Sequence, residues 1–143
     1  MSVGDHCRRD FSRAQAGETV REAAMRMKDE DSGCLIVVDD KDRPIGTLTD
    51  RDIAMQVLRR NRDPDETSIG EVMHEEITSL WEAAPLLTAF RRMRTDGLRR
   101  IPVIGDGGEV VGVMEWDDAL GIIATELAQV ARVASSQRNR AQD

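Results

Sequence analysis

An internal repeat constrains this chain more than any other feature. Phe11 to Ile77 and Asp52 to Asp118 span the same interval, since 77 − 11 and 118 − 52 both give 66. At that single offset, with no gap, Val3-Gly4-Asp5 falls on Ile69-Gly70-Glu71, and Ala23 on Ala89. Met27 falls on Met93, Val37 on Val103, Asp40 on Asp106 and Gly46 on Gly112. Identities are few, but apolar classes agree through both β-like runs, which marks an internal duplication. A unit of about 65 residues buries little core alone, so the two halves are expected to pack against each other.

Each half reads as extended piece, helix, strand, strand, helix. A short turn at Val3–Cys7 precedes an extended piece around Phe11-Ser12-Arg13-Ala14. Thr19-Val20-Arg21-Glu22 is a capping box, in which the hydroxyl and the carboxylate satisfy each other's backbone N–H. It opens a helix with Val20, Ala23, Ala24 and Met27 at helical spacing, broken by Gly33. Cys34–Val38 is a short, continuous, largely β-branched run, which predicts a buried strand. Asp39–Pro44 is turn chemistry, and Ile45–Thr49 a second strand. The next helix carries Ile53, Ala54, Val57 and Leu58 on one face. Arg59–Thr67 is polar, contains Pro64 and reads as a connection. The expected organisation is a first repeat over 1–60, a linker over 61–68, a second repeat over 69–130 and a polar tail over 131–143. The methionines at 25, 27, 55, 73, 93 and 114 are expected as core filler. The fold class is α+β: two β-α-β-β-α units, related by a pseudo-twofold and packed through their sheets. Such packing creates two equivalent clefts, each at the end of one half's second strand and facing the other half.

Composition removes several functions. A net charge of −7 argues against general attraction to nucleic acid or to an anionic membrane. Aromatic residues are 3%, with no Tyr, so a base-stacking platform has little to be built from. No run approaches a membrane span and Met1–His6 carries no apolar leader pattern, so the cytoplasm is the expected compartment. Cys7 and Cys34 sit in no CxxC, and His6-Cys7 has no clustered ligand beside it, so neither a metal site nor a cofactor is expected. No Ser/His/Asp set or paired catalytic carboxylates appear, which argues against an enzyme. Gly105-Asp106-Gly107-Gly108 aligns with Asp39–Asp42 as an inter-strand turn, not a phosphate loop, and Asp39-Asp40-x-Asp42 lacks the ligand spacing of a calcium loop.

The stretch Gly46-Thr47-Leu48-Thr49-Asp50-Arg51-Asp52 carries two readings. A strand passing abruptly into a helix aims backbone N–H groups and short polar side chains at one point, which suits a phosphorylated ligand. Thr49-x-x-Asp52 is equally a capping box. With the entry to the following strand in the second half, Arg99-Arg100-Ile101-Pro102-Val103-Ile104, and with Val72-Met73, the chain from Val3 to about Leu127 resembles a tandem pair of cystathionine β-synthase domains, a Bateman module. The resemblance implies a non-catalytic regulatory module that binds adenosine ligands such as AMP, ADP, ATP or S-adenosylmethionine between its repeats.

Carried over to this sequence, the resemblance makes Asp52 the ribose-binding carboxylate and Thr49 the phosphate-binding hydroxyl. A carboxylate accepting from two ribose hydroxyls makes charge-assisted bonds worth roughly 1.5–3 kcal/mol. Gly46, Asp50 and Arg51 complete this wall; Thr78, Arg99, Arg100 and Pro102 are the candidates opposite. The second cleft keeps Gly112 and Asp118 but has Glu115 at the hydroxyl position. A carboxylate about 4 Å from a phosphate costs on the order of 4 kcal/mol at an effective dielectric near 20. One functional nucleotide site is therefore expected, with the second cleft degenerate. The alternative is a dimerisation scaffold without a ligand, drawing on the stripe Leu120, Ile123, Leu127 and Val130 of the last helix. The expected partners are an adenosine nucleotide, a second copy in a homodimer, and a regulated protein that the sequence does not name.

Overall fold

The computed structural model describes residues 1–142. After a 3-10 turn at Val3–Asp5 come β1 (Arg13–Gln15), α1 (Val20–Asp29), β2 (Cys34–Val38), β3 (Pro44–Thr49) and α2 (Asp50–Ile53). α2 continues as a π-helical turn over Ala54–Leu58. α3 (Ile69–Val72) opens the second half, followed by β4 (Leu80–Trp81), α4 (Leu86–Asp96), β5 (Arg100–Ile104), β6 (Val110–Glu115) and α5 (Trp116–Gln142).

Each half forms a three-stranded sheet in which the first strand runs parallel, and the third antiparallel, to the second. The repeat holds to the level of register. Cys34 pairs with Thr49 as Arg100 pairs with Glu115, and Val37 with Gly46 as Val103 with Gly112. α1 starts because the Thr19 hydroxyl accepts from Glu22 N at 3.2 Å while the Glu22 carboxylate accepts from Thr19 N at 2.9 Å. α4 lacks that box, with Pro85 at its N-cap, and ends on Gly97, whose φ of 65° suits a residue without Cβ.

The cores are interlaced. Val3 is buried with Leu80, Leu86, Ile101, Val103 and Met114 of the second half. Ile69 and Val72 are buried with Val20, Leu35, Val37, Leu48 and Val57 of the first. Backbone bonds fasten each exchanged turn: Val3 N to Ala84 O and Ile69 N to Glu18 O, both 2.8 Å. The sheets meet where Ile36 and Val38 of β2 pack on Val110 and Val113 of β6.

Some expected core positions face outward. Met25 lies five residues after Val20, about 140° round the helix, and is exposed. Met55, Ala54 and Leu58 are exposed while Val57 is buried. The wider π-helical turn, with Arg59 N bonded to Ala54 O at 3.0 Å, breaks the 3.6-residue spacing on which that face was predicted. Met27 and Met114 are buried and Met73 and Met93 partly so, as core filler should be. Residues 131–142 continue α5 as helix.

Candidate ligand clefts

Two clefts lie where the halves meet, and the pseudo-twofold relates them residue by residue. Nine residues line the first, and each has a counterpart lining the second at the 66-residue offset. Thr47 answers to Val113, His74 to Arg8, Glu76 to Asp10, Ile77 to Phe11 and Thr78 to Ser12; Asp96 answers to Glu30, Leu98 to Ser32, Arg100 to Cys34 and Pro102 to Ile36. The first has a volume of about 640 Å³ and the second about 450 Å³, both in the range of small-molecule sites. Each is closed on one side by a two-way backbone bridge between the halves. Thr47 N and His74 N exchange bonds with each other's carbonyls at 3.0 and 2.8 Å, and Arg8 with Val113 at 2.8 Å each way.

That bridge explains the motif glycines. A Cβ on Gly46 would lie 2.8 Å from the His74 carbonyl oxygen and 2.8 Å from Met73 Sδ. On Gly112 it would lie 2.7 Å from the Arg8 carbonyl oxygen and 2.5 Å from Cys7 Sγ. Glycine stands at these positions because the other half's backbone occupies the space of a side chain.

Of the residues singled out from the sequence, Thr78, Arg100 and Pro102 come together in the first cleft, beside Thr47. Thr49 and Asp52 form the helix cap: Thr49 N donates to Asp52 Oδ2 at 2.9 Å and Asp52 N to Thr49 Oγ1 at 3.1 Å. Both are partly buried at the start of α2, and neither they nor Gly46 and Asp50 are among the residues lining the first cleft. Asp50 accepts from Arg51 N at 2.8 Å, and its N donates to Gly33 O at 3.0 Å. Arg51 and Arg99 are exposed and line neither cleft. Arg99 contributes its carbonyl to Trp116 N at 2.9 Å. Arg100 lines both clefts.

The second cleft is wired differently. Arg8 grips Asp118 with a two-pronged fork, Nε to Oδ2 at 2.6 Å and Nη2 to Oδ1 at 3.0 Å, and reaches Asp117 at 3.8 Å. Hydrogen bonding to Asp118 raises the Arg8 guanidinium above its already high ordinary value, so the fork is fully charged. Glu115 faces Arg100 Nε at 3.7 Å. The Glu115 carboxylate is thus partly neutralised, and what distinguishes this cleft is the carboxylate Asp118 already being held. His74 replaces Arg8 in the first cleft, and among the described residues no such fork engages Asp52. Cys34 lies in the second cleft, where burial pushes its thiol up against the opposing pull of Arg100, keeping it protonated. Among the described residues no group of three or more His, Cys, Asp or Glu side chains could hold a metal ion.

His74, Arg8 and Cys34 were not among the residues singled out from the sequence. The signal was present in the repeat itself: the offset carries Arg100 to Cys34 and Arg8 to His74.

Two interlaced sheet-and-helix repeats with paired clefts at their junction define a tandem ligand-cleft module. The CBS domain family matches residues 3–59 and 69–125, and the chain belongs to that family. Among curated relatives, the CBS domain-containing protein YhcV of Bacillus subtilis is 32% identical over 139 residues, 96% of this chain and 97% of that protein. Hypoxic response protein 1 of Mycobacterium tuberculosis is 32% identical over 119 residues, 83% of each chain. An uncharacterized protein of Methanopyrus kandleri is 31% identical over 85% of this chain, which spans 62% of that protein's length; a second relative, from Acidianus ambivalens, is spanned over 59% of its length. Among solved structures, Hypoxic Response Protein I with two coordinated zinc ions superposes with a TM-score of 0.74 at 30% identity, covering 82% of this chain and 95% of that one. A CBS domain pair in complex with 5′-methylthioadenosine and S-adenosyl-L-methionine shares the fold, with a TM-score of 0.73 at 24% identity over 86% and 99% of the two chains.

Proposed function

We propose that this chain is a regulatory module that binds an adenosine nucleotide in the first cleft and performs no chemistry on it. The observation carrying this reading is the pair of inter-repeat clefts related residue by residue. Such a cavity offers hydroxyls (Thr47, Thr78), a guanidinium (Arg100) and apolar walls (Ile77, Leu98, Pro102) within one volume. These are the groups a nucleoside phosphate needs: a cation and donors for the anion, apolar faces for the base. The N-terminus of α2 adds about 0.3–1 kcal/mol toward an anion. Proteins of this fold have been solved with ATP or with 5′-methylthioadenosine and S-adenosyl-L-methionine bound, which sets the ligand class to be tried first.

Asp52 is assigned to the ribose and Thr49 to the phosphate, both doubling as the helix cap. The second cleft is assigned no phosphorylated ligand, because Arg8 already occupies the equivalent carboxylate, Asp118. The test is isothermal titration with AMP, ADP, ATP and S-adenosylmethionine on the wild type and on Asp52→Asn, which keeps a cap acceptor but loses the charge. One ligand per chain is expected, weakened at least tenfold in the variant, the loss of a charge-assisted bond of about 1.5–3 kcal/mol. No binding of any of the four would leave a scaffold instead; two nucleotides per chain would refute the assignment of the second cleft.

A further inference from the structure

We propose that Arg100 couples the two clefts, an inference that rests on the nucleotide reading of the first: one guanidinium serves both, and a phosphate in the first cleft competes for it with Glu115 in the second. Arg100 opens β5 and faces Glu115 at the end of β6 in the antiparallel register. It lines the first cleft beside Thr47, Thr78 and Pro102, and the second beside Cys34 and Glu115. Glu115 lines the second cleft and not the first. The pseudo-twofold supplies no matching cation, because the equivalent pair in the first half is Cys34 with Thr49, a thiol and a hydroxyl.

The Arg100–Glu115 pair is loose enough to be exchanged. Arg100 Nε lies 3.7 Å from Glu115 Oε1, beyond the roughly 2.7–2.9 Å of a charge-assisted hydrogen bond. Arg100 is exposed and Glu115 half-buried, so burial clamps neither. In the first cleft Glu76 and Asp96 share the cavity with Arg100, and a phosphate there needs the guanidinium undivided. Arg8, the other cation of the second cleft, is already held by Asp118 at 2.6 and 3.0 Å. Turning Arg100 toward a phosphate therefore leaves Asp10, Glu30, Asp31 and Glu115 in the second cleft without the cation that balanced them. What Glu115 contributes to holding Arg100 is lost to nucleotide affinity, and by linkage the nucleotide loosens Glu115 to the same extent. Cys34 registers the exchange. Burial pushes its thiol up, Arg100 pulls it down, and Glu115, Asp52 and Asp50 push it up; withdrawing the guanidinium leaves the upward pushes unopposed.

Isothermal titration of the full chain with AMP, ATP and adenosine tests the coupling. Glu115→Gln keeps the side chain's shape and removes its charge. It should tighten nucleotide binding about three- to fivefold, the upper range for a partly exposed ion pair, while adenosine, which has no phosphate, binds both proteins alike. Asp31→Asn takes an equal charge from the second cleft without touching Arg100 and should stay within about twofold of wild type, as a screened surface charge does. In Arg100→Gln the nucleotide should bind more weakly, and adding Glu115→Gln should change nothing further. As a second readout, iodoacetamide labelling of Cys34, followed by peptide mass, should show the midpoint of its pH–rate profile rising by about 0.5–1 at saturating nucleotide. Nucleotide bound equally by wild type and Glu115→Gln, an equal effect of Asp31→Asn, a gain that survives in Arg100→Gln, or a Cys34 midpoint that does not move would each overturn the coupling and leave the nucleotide reading standing. Failure of the wild type to bind either nucleotide would remove both.

Discussion

Gly46→Ala should destabilise the protein although it adds only one methyl group. Its Cβ would lie 2.8 Å from the His74 carbonyl oxygen, a backbone atom fixed by the bridge to Thr47, and 2.8 Å from Met73 Sδ. The sulfur can swing away, but the carbonyl cannot move without parting the bridge. Forcing a methylene into a packed site costs about 1–3 kcal/mol. Losing two backbone hydrogen bonds, of 3.0 and 2.8 Å here, adds about 0.5–1.5 kcal/mol each. A total near 3–4 kcal/mol lowers the melting temperature by roughly 12–16 °C, at about 4 °C per kcal/mol for a chain of this size. Gly112→Ala should act alike through Arg8. Gly17→Ala is the control, since nothing lies within 4 Å of a Cβ there; it should change stability by less than about 0.5 kcal/mol or raise it slightly. Urea and thermal unfolding followed by circular dichroism give the numbers. If Gly46→Ala unfolds within about 0.5 kcal/mol of wild type, the glycine is not an inter-repeat contact, and its place in the motif must come from the ligand instead.

Further expectations concern the core and the acid limb of stability. Ile69→Ala removes a fully buried side chain that the second half lends to the first; it should cost about 2–5 kcal/mol while unfolding stays a single transition, and two separate transitions would refute the coupling of the halves. Glu18 accepts from Arg26 Nη1 at 3.0 Å and from Gln15 N at 2.7 Å, and the Arg26 bond holds its carboxyl below the ordinary 4.5. A depressed folded value means the unfolded state binds the proton more readily. The contribution of Glu18 is therefore complete above about 4.5 and lost as pH falls through the folded value. Glu18→Gln should lower stability at pH 7 but flatten its decline below pH 4.5, measured as unfolding midpoints in urea; a decline as steep as wild type would refute the role.

What the sequence disclosed and what it hid follow from the range of each interaction. Strands β2 and β3, the Thr19–Glu22 cap and the 66-residue offset are local or repetitive signals, and they were legible. The outward turn of Leu58 was not, because a π-helical turn leaves the pattern of apolar residues intact while changing its phase. The glycines of Gly46 and Gly112 looked like part of a ligand loop, since their true neighbours, His74 and Arg8, arrive from the other half. The Arg8–Asp118 fork spans 110 residues, and no local pattern announces it. Residues that meet only through the pseudo-twofold are readable in sequence only after the repeat has been used as a map.

The exchanged turns have a consequence for synthesis. The core of the first half contains Ile69 and Val72, which lie beyond its own last strand and helix. A chain emerging from the ribosome therefore cannot finish its first half until α3 has cleared the exit tunnel, and Val3, which precedes every strand of its own half, waits for β5 and β6 before it finds its pocket. Neither half matures alone, and the turn that opens the first half is among the last parts to be locked in place.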